Sequence, residues 1–288
     1  MESITFTCET ITPMFLAGAD GQTPELRAPS IKGALRFWWR AMHGHLPVDK
    51  LKEKESLIFG GTERSGRSNV IIRVTHPALN IDNSELVPHK PFMKQEAIQI
   101  EQDFDVLLTL TRTIQGFSLD QLRALFILTC VLGGFGKRVR RGMGSVHIKK
   151  CSDENHLPKN IDLFYIHQLM MNFSPFYILA DGSIDFNYSG KSAKFGYIKQ
   201  IQIGNSQAKE SQLLRRISDA THDVKSANDY AYDPSMGHAF KGRYASPVYV
   251  SVIKGSVKPI ITTLNIAPDK NEHNASLLIQ EEFKNRIL

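Results

Sequence analysis

The chain has 288 residues, of which 42% are apolar and 22% charged, and its net charge is +6. These values exclude a disordered chain and a single small domain, and they suit two domains with a sizeable core. Three scattered cysteines, Cys8, Cys130 and Cys151, form no CxxC pair. That argues against a disulfide framework or a cysteine zinc site and fits a reducing cytoplasm. The best membrane-span candidate, residues 122–132, is too short, and residues 1–10 lack the basic-then-apolar order of a leader.

Residues 4–11 alternate and are rich in Thr, Phe and Ile, which predicts a strand. After a Gly- and Pro-containing loop at 13–29, Ser30 is placed as the N-cap of a helix running to about Met42 and stopped by Gly44. Ile31, Leu35, Trp38 and Met42 make one apolar face of it. Residues 46–68 read as polar and irregular, 70–75 as a strand, 76–95 (with Pro77, Pro88 and Pro91) as an irregular excursion, and 104–112 as a strand. Ser118 and Gln121 form a capping box for a helix at 119–132 that is apolar nearly all round and therefore expected to be buried. A loop at 134–145 leads to a strand at 146–150. The succession strand, helix, strand, strand, helix, strand predicts an α+β fold of the split βαβ, ferredoxin-like (RRM-like) kind.

The second half repeats this loosely. Helices are expected at 161–173, 206–220 and 275–288, with strands at 176–180, 194–203, 246–254 and 257–266. The reading is two tandem ferredoxin-like domains, 1–152 and 153–288, the second degenerate, with the boundary in the polar stretch 151–159.

The charge is unevenly spread. Residues 26–48, 121–152 and 234–268 contain no Asp or Glu but fifteen Lys and Arg. Keeping acids off particular surfaces is what a polyanion site requires, although solvated basic faces give the same pattern. The densest signal is Gly133-Gly134-Phe135-Gly136-Lys137-Arg138-Val139-Arg140-Arg141-Gly142-Met143-Gly144-Ser145. Gly134, Gly136 and Gly142 let backbone approach a ligand, exposed amides can form anion nests, and Lys137, Arg138, Arg140 and Arg141 add phosphate contacts. It is not a Walker A loop, because Lys137 is followed by Arg138, and it is not a dinucleotide fingerprint, because it follows a helix and precedes a strand.

This loop resembles that of the RAMP superfamily of CRISPR-associated proteins. The run 11–20 (ITPMFLAGAD) followed by 26–40 (LRAPSIKGALRFWWR), with 242–247 (GRYASP), is similar to the family of the first Cmr subunit of type III-B effector complexes. The resemblance touches both halves of the chain. It implies two ferredoxin-like domains and RNA binding near the 3′ end of the guide. It also implies guide RNA, target RNA and other Cmr subunits as partners, and no nuclease centre, metal or cofactor.

Several residues keep two readings. Lys32, Arg36 and Arg40 recur every fourth residue and can track phosphates, or Arg36 and Arg40 brace the loop or a neighbouring subunit. Trp39 stacks on a base or packs in the core. Lys241 and Arg243, beside Tyr244, add a phosphate contact or lie in a solvated turn. His43 or His45 as general base would make the chain a metal-independent endoribonuclease, the rival reading; the bland one for His43 is a polar helix end. Asp20 mimics a metal-binding carboxylate or anchors a plain turn. The histidines show no HxxxH or HExxH spacing, which gives a metal site little support.

Overall fold

In the computed structural model, alternation places Ile4, Phe6 and Cys8 of β1 (Glu2–Thr10) in the core, with Thr5 and Thr7 on the half-exposed face. The structure describes residues 1–61, 66–153, 157–158, 160–190, 195–226, 234–238, 244–265 and 277–288. Helix α1 (Ala28–Ala41) follows, then α2 (Val48–Phe59), β2 (Val70–Thr75), β3 (Ile81–Glu85), β4 (Lys94–Ile98), β5 (Asp103–Leu110), α3 (Leu119–Leu132) and β6 (Val146–Cys151). The first sheet has the order β2-β5-β1-β6, with every recorded neighbour antiparallel. Helices α1 and α3 pack against it, and β3 and β4 form a separate two-stranded ribbon.

The second half contributes α4 (Leu163–Met170), β7 (Tyr177–Ala180), β8 (Ser183–Phe186), β9 (Ile198–Ile203), α5 (Glu210–Ser226), β10 (Val248–Ile253), β11 (Lys258–Leu264) and α6 (Leu277–Asn285). Its five strands run in the order β10-β11-β9-β8-β7. This differs from the order of the first sheet. Helices α5 and α6 cover one face through Leu213, Ile217 and Phe283 against Val248, Val250 and Ile261.

Helix α3 explains how the halves meet. Its apolar residues face β1, β5 and β6 on one side and β10 and β11 on the other. A helix covered by sheets on both sides needs no polar stripe. The capping box starts it as the sequence predicts: Gln121 N donates to Ser118 Oγ (3.3 Å) and Ser118 N to Gln121 Oε1 (3.0 Å).

The open side of β10 is covered by the last turn of α3 and the residues that follow it. Val252 N donates to Ser145 Oγ (3.1 Å), Arg141 Nη1 donates to the Val248 carbonyl (3.1 Å), and Ser251 Oγ donates to the Val131 carbonyl. An edge strand is thus paired with side chains of the other half instead of being left as a template for aggregation.

Three expectations change. Helix α1 starts before Ser30, with Arg27 as N-cap and Pro29 in the first turn, where its missing N–H costs nothing. Residues 48–59 are helical: the narrow stripe Leu51, Glu55, Ile58 and Phe59 is buried, but six charges in the segment hid it. The excursion at 76–95 holds β3 and runs into β4, and the segment connecting them docks on α5, with Arg215 Nη1 donating to the Pro88 carbonyl (2.9 Å) and His89 N to Ser218 Oγ (3.2 Å).

Ser145 Oγ also donates to the Gly142 carbonyl (3.0 Å) in a buried setting. Ser145→Ala leaves the Val252 amide unsatisfied, and a loss of about 1–3 kcal/mol is expected in denaturant unfolding. An unchanged midpoint would show that this contact does not hold the β10 edge.

Candidate nucleic-acid interface

The loop from Gly133 to Ser145 is built on backbone contacts. Phe135 N donates to the Gly144 carbonyl (2.9 Å), Lys137 N to Phe15 O (2.8 Å) and Gly144 N to Pro13 O (3.0 Å). Thr12 Oγ1 donates to Gly142 O (2.7 Å) and accepts from Ser145 N (3.0 Å). Gly134 (φ +81°) and Gly144 (φ +67°) sit where the two limbs cross, and a Cβ on either would enter the carbonyl group of the opposite limb. Gly134, Gly136 and Gly142 turn the side on which a Cβ would stand toward protein, a packing role for these glycines. A Cβ at Gly142 would lie 2.8 Å from Leu214 Cδ2, and one at Gly136 2.6 Å from Phe15 O. The loop is therefore an anchored platform and not a flexible linker.

On that platform Lys137 is exposed, and Arg138 and Arg140 are half-buried. Arg138 holds φ at +59°. The Nε atoms of Arg138 and Arg140 are both buried without a hydrogen-bond partner. The Arg140 guanidinium lies 4.7 Å above the Tyr249 ring, which packs on Trp38. Arg141 is structural: besides the Val248 carbonyl it bonds Arg140 O (2.7 Å) and lies over the Phe283 ring. Burial, then the charges of Arg138 and Arg140, pushes it down to about 9. Among the described residues, no carboxylate lies within ion-pair distance of Lys137, Arg138, Arg140 or Arg141.

Tyr249 lies under the Arg140 guanidinium, and Lys225, near the C-terminal end of α5, is brought down to about 8 by burial and then by the charges of Arg141 and Arg138. Sequence reasoning missed both, and Lys225 lies beyond the expected end of its helix at Ala220.

The basic face of α1 is occupied differently. Arg36 Nε pairs with Glu55 Oε1 at 2.7 Å, and Arg40 Nη1 approaches Glu55 Oε2 at 3.7 Å. Lys32 Nζ donates to the Val70 carbonyl (3.1 Å). Arg36 and Arg40 thus brace α2, not the loop. Trp39 is 2% exposed, packed on His43 and edge-on to Phe59, and offers no face to a base. Lys241 and Arg243 lie outside the described residues.

His43 is buried, and its Nδ1 donates to the Trp39 carbonyl (2.6 Å). Burial pushes its pKa down to about 4, so the ring is neutral and enclosed, unsuited to take a proton from an RNA hydroxyl. His45 Nδ1 is 3.2 Å from Ser174 Oγ, with its ring beside Phe176 and Tyr188. Asp20 anchors a turn, accepting from Gln22 N and Thr23 N (2.9 and 3.0 Å). Among the described residues no cluster of three or more His, Cys, Asp or Glu could hold a metal ion.

A sequence model of the RAMP superfamily matches residues 7–147. The CRISPR system Cmr subunit Cmr1-2 of Pyrococcus furiosus is 30% identical over 178 residues, covering 50% of this chain and 94% of that protein. Cmr1-1 of the same organism is 34% identical over 150 residues, 46% of this chain and 43% of that one. The crystal structure of apo Cmr1 from Pyrococcus furiosus superposes with a TM-score of 0.63 at 19% identity, covering 100% and 96% of the two chains. A chain of the type III-B Cmr-beta complex bound to cognate target RNA gives 0.65 at 12% identity, covering 99% of each. These structural likenesses concern the fold. The mixed helix-and-sheet architecture and the loop after α3 define a RAMP protein. Within that superfamily, the chain belongs to the Cmr1 family.

The enclosed His43 sets a pH dependence. Its folded pKa lies below the unfolded value of about 6.5, so its stabilising contribution is complete above that pH and is lost as pH falls toward 4, on the order of 3 kcal/mol. Unfolding midpoints at pH 7 and pH 4.5 should therefore differ more in the wild type than in His43→Asn. Equal shifts in both would contradict the placement of this ring.

Proposed function

We propose that this chain is an RNA-binding subunit of a type III-B CRISPR (Cmr) ribonucleoprotein. It contacts guide and target RNA near the guide's 3′ end, docks on other Cmr subunits in the cytoplasm, and carries no nuclease centre. The observation that carries this reading is the group of loop cations held on a rigid backbone without acidic partners among the described residues. Uncompensated guanidinium groups at a surface attract a polyanion, and phosphate contacts give affinity with little sequence preference. The relative's assembly bound to cognate target RNA supports the same reading. No helix among the described residues is long and apolar enough to cross a membrane.

We read the architecture as two ferredoxin-like domains, 1–152 and 153–288. The order β2-β5-β1-β6 supports this for the first, with α1 between β1 and β2 and α3 between β5 and β6. The second is a degenerate version enlarged by the β7–β8 hairpin. Lys137, Arg138 and Arg140 are the contact residues. Lys32, Arg36 and Arg40 have the secondary role of holding α2 and β2 in place.

Binding of single-stranded RNA by the full chain, measured across a salt series, tests this reading. Arg138→Ala/Arg140→Ala should weaken binding at least about tenfold and lower the slope of log affinity against log salt by about two. Arg141 is left intact because it holds the β10 edge. A double variant with wild-type affinity and slope would refute the loop as the RNA site.

A further inference from the structure

Strand β6 ends its sheet, and unlike β10 its outer edge has no backbone partner among the described residues. Ile11 N donates to Ser145 O (2.9 Å), and the register then sets Thr10 opposite Val146, Glu9 opposite His147 and Cys8 opposite Ile148. Alternation along an antiparallel ladder turns the N–H and C=O of His147 toward β1 and those of Val146 and Ile148 outward. Val146 is 4% exposed, and backbone groups at such depth are as a rule paired. Lysines on an edge strand discourage pairing, but those of β6, Lys149 and Lys150, stand past this stretch.

Residues 146–148 line a cleft of about 1130 Å³, whose other walls come from α3, the segment entering α4, the end of β9 and the β10–β11 turn. Half-buried Ile161, Leu163 and Ile203 make it apolar. Two lysines stand on its turn side. Lys254 is paired with Glu9, whereas Lys258 has no carboxylate within ion-pair distance among the described residues. The lining carboxylate Asp162 is taken up in capping α4, where it accepts from Tyr165 N (2.8 Å). A strand edge between apolar walls selects an extended peptide: its backbone matches the spacing of the outward groups and its alternate side chains meet the walls. A nucleic-acid strand would bring phosphates against Ile161, Leu163 and Ile203 and offers no such ladder.

We propose that the outer edge of β6 is a docking edge for a protein partner of the ribonucleoprotein, which adds an extended segment to the first sheet, with alternating apolar residues against the cleft wall and a carboxylate on Lys258. This rests on the reading of the chain as a subunit of a Cmr assembly. It deepens that reading by naming a surface through which the subunit docks, apart from the loop cations.

Hydrogen exchange at the Val146 and Ile148 amides tests this, measured in the full chain alone at two concentrations, with single-stranded RNA, and within the type III-B assembly. The assembly should slow both amides at least about a hundredfold, with no slowing in the other samples. Slowing by RNA alone, or slowing that grows with the concentration of the free chain, overturns the proposal in favour of a nucleic acid or a second copy. Unchanged exchange in an assembly that contains the chain also overturns it and leaves the RNA-binding reading standing; a chain that never enters the assembly overturns both. Two variants add a second readout. Ile148→Pro removes one outward N–H without touching the β1 ladder, and Lys258→Glu reverses the free charge; each should join the assembly about tenfold more weakly while keeping wild-type affinity for RNA. Lys258→Glu lies outside the β6 ladder and decides the matter should Ile148→Pro fail to fold. Wild-type incorporation of Lys258→Glu contradicts the proposal.

Discussion

Strand β10 lies at the end of its sheet, and the segment after α3 supplies what a neighbouring strand would have supplied. Ser145 takes the Val252 amide and Arg141 takes the Val248 carbonyl, while Ser251 reaches back to the last turn of α3. This seam is polar and buried, so each member depends on the others being in place. It fixes the loop relative to the second sheet, and through α3 it fixes the second sheet relative to the first. The position of every loop cation follows from it.

The seam also divides the labour among the arginines. Arg141 faces inward, and its charge is spread over two carbonyls and the Phe283 ring. Arg140 lies over Tyr249, and Arg138 is held in a left-handed turn. Arginine suits these places because its planar group stacks on rings and stays protonated when partly desolvated. Crowding like charges is costly in the free protein, and binding a polyanion relieves that cost.

Much of the fold was readable from local pattern. The capping box and all-round apolar character of α3 placed a buried central helix, alternation placed β1, and strands were expected where β2 and β5 lie. The two readings of α1 stayed open for one cause, the unrecognised helix α2. With residues 46–68 taken as irregular, Arg36 and Arg40 had no visible partner and Trp39 no visible cover. Glu55 supplies the first and Phe59 the second. The stripe Leu51, Ile58 and Phe59 was the available signal, diluted by charges on the other faces. Within the candidate site, the loop was visible as a run of Gly and Arg. Lys225 was not, because its nearness to the loop comes from the packing of α5 across β10, which no spacing along the chain records.

The most direct test is photo-crosslinking of the full chain to single-stranded RNA carrying 4-thiouridine, with the linked residues mapped by mass spectrometry. The account places the crosslinks within residues 137–141 and leaves the α1 segment 32–40 unlabelled. Crosslinks concentrated on residues 32–40, with none in the loop, would contradict it.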